Sequence, residues 1–162
     1  DAWFERNDAE KAVPAPMGHD DEGTPAGYSN AADNPQVISP AGTINLSLID
    51  WTTFARNHLD AGRGYPRLLS SRTYEELHTL PSNLSEDDPK YAKGWGVVTA
   101  EEWTRGPALY HQGSNTLWLA QIWVVPERDR VIVVAANQGG EQAVEACESA
   151  IEKIRRRLAM GE

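Results

Sequence analysis

The spacing of apolar positions changes twice along this chain, and each change predicts a different kind of structure. Residues 12–42 show no helical or alternating period; they hold five prolines, four glycines and scattered Asp, Asn and Ser, which reads as a long irregular segment. Irregular stretches of that length are uncommon in a compact domain unless they are functional or lie over another part of the protein. This one is expected to drape over a neighbour the chain lacks. From Ser47 the period becomes helical. Leu48, Trp51, Phe54, Ala55, His58 and Leu59 mark one face, Ser47 suits the N-cap with Asp50 at the third helical position, and Gly62 and Gly64 end the run. Ser70 caps a second helix through Tyr74 and Leu77 to Pro81, and 82–90 reads as an acidic loop. The expected division is an irregular segment over 1–46 and a folded part over 47–162.

The second change is to strand patterns. Residues 94–99, 108–111, 116–125 and 130–136 are the candidates, with the third the longest. Pro126-Glu127-Arg128-Asp129 has turn residues at hairpin length, so the last two strands are expected to be antiparallel neighbours. Val131 to Ala136 is continuously apolar, which predicts cover on both faces. After Gly139-Gly140 a final helix places Val144, Cys147, Ile151, Ile154 and Leu158 on one stripe, a lid for one face of the sheet. The fold class is therefore α+β: an antiparallel sheet of three to four strands packed with a C-terminal helix and two further helices.

Composition narrows the partners. With 162 residues, 40% apolar and 24% charged, the chain matches globular usage, and a domain of this size buries roughly 68–70% of its unfolded surface without needing a disulfide or metal. A net charge of −9 argues against nucleic acid and anionic membranes as default partners. Arg155-Arg156-Arg157 reads as favourable charge at a helix C-terminus. The single cysteine, Cys147, excludes an intrachain disulfide and a cysteine-based zinc site, and reads as a small core hydrophobe. No run of 18 apolar residues and no charged-then-apolar leader is present, so the piece reads as soluble with its compartment undetermined. It opens Asp1-Ala2-Trp3 rather than with methionine, which suggests a truncated or processed piece. His19, His58 and His78 lack the spacing of metal ligands, so neither a metal nor a cofactor is expected.

The chemistry concentrates in Tyr110-His111-Gln112-Gly113-Ser114-Asn115, just before the longest apolar segment. Three other segments accompany it: Ser39-Pro40-Ala41-Gly42-Thr43 before the Ser47 helix, Leu68-Leu69-Ser70, and Lys93-Gly94-Trp95-Gly96-Val97, with Asn137-Gln138-Gly139 after the hairpin. In this order and spacing, 34–140 resembles the C-terminal half of the class C β-lactamase, penicillin-binding and esterase superfamily. That resemblance implies a third motif of a basic or His residue, a small polar residue and glycine beside the catalytic cleft, here His111-Gln112-Gly113. It makes the backbone N–H of Ser114 an oxyanion-hole donor, Gly113 a point of close approach to substrate, and His111 a ligand for a substrate carboxylate or for the second-motif tyrosine. Ser114 and Asn115 also fit an ordinary turn, and Trp118 and Trp123 fit core packing as well as a substrate platform.

The resemblance is incomplete. The family's nucleophile lies in a Ser-x-x-Lys motif, and no serine here is followed three residues later by lysine. Tyr28-Ser29-Asn30 has the form of the second motif but stands too close to Ser39-Pro40-Ala41-Gly42, and reads as linker. The implied function is the C-terminal fragment of a serine hydrolase performing acyl transfer on a lactam, amide or ester, inactive alone. Its expected partner is the missing N-terminal half, or another copy paired through an exposed sheet edge. The alternative is a non-catalytic binding or self-assembly module built on the same fold.

Overall fold

The computed structural model describes residues 2–3, 16–27 and 34–160. In chain order the elements are β1 (Ala2–Trp3), α1 (Ser39–Gly42), β2 (Asn45–Leu46), α2 (Leu48–Gly62), α3 (Ser71–His78), β3 (Gly96–Val98), β4 (Ala108–Ser114), β5 (Leu119–Val125), β6 (Arg130–Ala136) and α4 (Gly140–Met160). The antiparallel sheet has the order β3-β4-β5-β6, and β1 and β2 form a separate antiparallel pair. The α+β architecture read from the sequence is the one observed. No described helix is long and apolar enough to cross a membrane.

Local chemistry explains the helix ends. The Ser47 hydroxyl accepts the Asp50 N–H at 3.1 Å and donates to the Asp50 carboxylate at 2.7 Å, closing the first turn of α2. Ser70 caps α3 by accepting the Thr73 N–H at 3.1 Å. The hairpin between β5 and β6 is a short 3-10 turn, Pro126–Arg128, after which Asp129 takes a left-handed conformation with φ of 53°. Asp is one of the few residues that tolerate that region.

Several predicted boundaries and faces move. β4 runs on to Ser114 instead of stopping at His111, and β5 starts at Leu119 instead of 116. The turn therefore falls at 115–118, where Thr116 has φ of 75°. In α2 the buried residues are Ala55, His58, Leu59 and Asp60, whereas Leu48 and Phe54 are exposed. In α4 the buried stripe is Ala143, Cys147 and Ile151, one position off the predicted line at its start, and Ile154 is at the surface.

The chain divides into two compact units, and β4, β5, β6 and α4 each contribute residues to both. The first comprises Asp1–Trp51, Gln112–Gln121 and Val134–Glu152. Its core joins Leu119, Ala143 and Cys147, with Val134, Ala136 and Val144 packed around them. Here residues 17–19 of the irregular segment lie on this chain itself: the His19 N–H donates to Asn137 O at 3.0 Å, Asn137 Nδ2 donates to Met17 O, and Trp118 covers Gly18. Gly139 leaves no room for a side chain, because a Cβ would collide with the Thr116 carbonyl.

The second unit comprises Thr52–His111, Ile122–Val133 and Lys153–Glu162. Val124 and Val125 are fully buried in it. Of the three arginines expected at the C-terminus of α4, Arg157 lies in its last turn, whereas Arg155 is engaged elsewhere. It pairs with Glu101 at 2.8 Å and lies over the rings of Trp103 and Trp123, which desolvates its planar guanidinium against aromatic faces. The carbonyl near the helix end is met instead by Arg128, whose Nη1 donates to Leu158 O at 2.7 Å.

Candidate functional site

The register of β3 and β4 determines which backbone groups of the motif are on offer. Gly96 pairs with Tyr110, Val97 with Leu109 and Val98 with Ala108. The Val97 N–H is directed away from β4, since it donates to Lys90 O at 2.7 Å. In an antiparallel pair the backbone groups alternate in direction. Gly96 and Val98 therefore face Tyr110 and Ala108, and by the same alternation Gln112 and Ser114 turn their N–H and C=O groups to that edge of β4. The pairing with β3 ends at Tyr110.

The side chains of the motif divide between the two units. In the second, His111 is exposed and its Nδ1 lies 2.9 Å from the Tyr91 hydroxyl. In the first, Gln112 Oε1 accepts from Gln121 Nε2 at 2.5 Å, while Gln121 itself is 4% exposed and its own Oε1 is buried without a hydrogen-bond partner among the described residues. The Ser114 hydroxyl donates to Trp118 O at 2.8 Å and accepts the Thr116 N–H at 3.0 Å. Asn115 Oδ1 accepts the N–H groups of Leu117 and Trp118. Both polar side chains thus build the turn, as the second reading of Ser114 and Asn115 had it. Trp123 stacks on Tyr110 at 5.0 Å between ring centroids and meets Trp103 edge-on at 5.1 Å, a packing role.

Two groupings join residues that the linear order keeps apart. Tyr91, the partner of His111, sits on a strand-like segment just before a tight turn in which Gly94 has φ of 87°. The Tyr91…Gly94-Trp95-Gly96 spacing was the available signal, and it needs the turn at Gly94 to place Tyr91 beside β4. His58 and His78, which read as scattered, meet with His58 Nδ1 2.9 Å from His78 Nε2. Phe54, Tyr74 and Trp95 surround His58. Burial, and secondarily the charge His78 would carry, lower the His58 pKa to about 4; burial lowers that of His78 too.

Among the described residues, Asp20, Asp21 and Glu22 bring carboxylate oxygens within 4.8 Å of one another. Asp20 Oδ1 there accepts the N–H groups of Glu22 and Thr24, an Asx-type turn. Tyr28-Ser29-Asn30 lies outside the described residues.

Comparison with known proteins agrees with the fold. The family model Beta-lactamase matches residues 1–155. Among solved structures, the octameric penicillin-binding protein homologue from Pyrococcus abyssi superimposes with a TM-score of 0.63 at 18% identity. That match covers 99% of this chain and 34% of the other, so this chain spans about a third of the length of its solved relative. No curated protein sequence matches it. The family match over nearly the whole chain, together with the shared fold, places this protein in the beta-lactamase family.

Proposed function

We propose that this chain is the C-terminal part of a serine hydrolase that performs acyl transfer on a lactam, amide or ester, and that it hydrolyses nothing alone. The strongest support is the division of roles at Ser114. Its hydroxyl is tied into the turn, while its N–H lies on the edge of β4 past the last residue paired with β3. A donor held by a sheet is preorganised for the charge of a tetrahedral intermediate, and losing one such donor costs about 10²–10³ in turnover. Gln112 and Gly113 continue that edge, Asn115 closes it, and His111 stands at its start as a hydrogen-bonding group for substrate. The activated serine, its lysine and a tyrosine come from a segment carrying Ser-x-x-Lys, because no such motif occurs here. Exposed apolar side chains support a packing surface for that segment: Val37 is 87% and Ile44 50% exposed, with Ile38 and Leu46 beside them in sequence.

The same exposed residues favour a second reading, a self-assembling module without catalysis, and the octameric state of the Pyrococcus abyssi protein lends it weight. The deciding experiment measures nitrocefin and p-nitrophenyl ester hydrolysis, with solution mass by light scattering, for the chain alone and co-expressed with a family N-terminal segment. Turnover only in the co-expressed pair supports the hydrolase part. A homogeneous assembly of this chain that never turns over and never takes up the segment supports the module. Turnover by the chain alone overturns both.

A further inference from the structure

We propose that Tyr91 is a positioning residue for His111, holding its ring in one orientation with the proton on Nε2. This rests on the reading of His111 as a substrate-binding group and assigns how that group is prepared. A neutral imidazole has one bare nitrogen and one N–H, and which is which follows from the partner of either nitrogen. Here the partner of Nδ1 is the Tyr91 hydroxyl at 2.9 Å. A phenol is the stronger acid of the two, so Tyr91 Oη–H donates to a bare Nδ1, and the ring proton is left on Nε2 as a donor for an oxygen of the substrate.

The backbone makes Tyr91 a fixed point. Its N–H donates to Pro89 O at 2.8 Å, Ala92 N donates to Trp95 O at 2.7 Å, and the chain reverses through Gly94 so that Tyr91 bridges Gly96, which in turn pairs with Tyr110 beside His111. The rings of Tyr91 and His111 are tilted by 46° with centroids 6.2 Å apart, so the hydroxyl, rather than ring stacking, makes the contact. Burial does not call for this bond. Tyr91 is 42% exposed and His111 is exposed as well, so water would satisfy both. What the bond supplies is direction, at little cost in stability.

The test is ring-nitrogen NMR of the chain labelled at histidine, at mildly alkaline pH, for the wild type, Tyr91→Phe and the control Tyr65→Phe. In the wild type, His111 is expected to show Nε2 protonated and Nδ1 shifted toward the hydrogen-bonded position. In Tyr91→Phe, Nδ1 returns to the position of an unbonded bare nitrogen while the backbone amide spectrum is unchanged, and Tyr65→Phe has no effect. An Nδ1 resonance that is the same in wild type and Tyr91→Phe overturns the inference, as does a wild-type ring protonated on Nδ1. The measurement needs no turnover: the expected shift supports Tyr91 even if co-expression yields no hydrolysis, a failure that counts against the proposed hydrolase alone.

Discussion

Two pairs of rings in the second unit have the same contact distance and opposite surroundings. His58 and His78 meet at 2.9 Å inside a cage of Phe54, Tyr74 and Trp95, and Tyr91 and His111 meet at 2.9 Å at the surface. In the first pair His58 is buried and His78 half-buried, and the two hold α2, α3 and the segment before β3 together. Its polarity is a cost that one shared proton offsets. The second pair contributes little to stability and keeps a nitrogen available. Distance alone does not distinguish the two pairs; burial does.

The largest expected effect comes from breaking the cage. Trp95→Ala removes the ring packed against Phe54 and His58 and should cost about 3–5 kcal/mol, as large aromatic truncations in cores do; urea unfolding would show it as a lower midpoint. Acid should act on the same pair. The ordinary His58 pKa of 6.5 is lowered to about 4 in the fold, and burial lowers that of His78 too, so above pH 6.5 both states are neutral and stability is full. As pH falls, the unfolded chain takes the proton first, and stability declines by about 3 kcal/mol down to about pH 4. A flat stability profile between those values would show that His58 is hydrated. His111→Ala should leave this acid limb unaltered.

The motif itself should respond more weakly. Ser114→Ala breaks two hydrogen bonds of the 115–118 turn and should cost about 1 kcal/mol. In the co-expressed pair it should leave hydrolysis within a few-fold of wild type, since the backbone N–H remains; abolished turnover would make the hydroxyl a nucleophile. His111→Ala should change stability by less than about 0.5 kcal/mol, as exposed sites do, and still lower turnover of the pair. Equal losses of stability at His111 and His58 would erase the contrast between the two pairs.

Much of this architecture could be read in advance, because it depends on short-range rules. Ser47 and Ser70 cap helices through groups three residues away, Pro126-Glu127-Arg128-Asp129 turns a hairpin, and the apolar run to Ala136 is a strand, all from local chemistry. The ordered motifs around His111-Gln112-Gly113 also point to the family from the sequence alone. What the linear order did not contain are contacts between segments far apart in sequence. Arg155 left its predicted place because Trp103, Trp123 and Glu101 offered a better one than water. Leu48 and Ile49 at the start of α2 are exposed although they continue its apolar pattern. Ser114 and Asn115 matched both a turn and a binding edge, and only the placement of their side chains against Thr116, Leu117 and Trp118 separated hydroxyl from backbone. Sequence by itself determined the elements and the family, since caps, turns and periodicity act within a few residues. Tertiary structure decided which histidine is buried and which is held at the surface, because burial is a property of what the rest of the chain brings alongside.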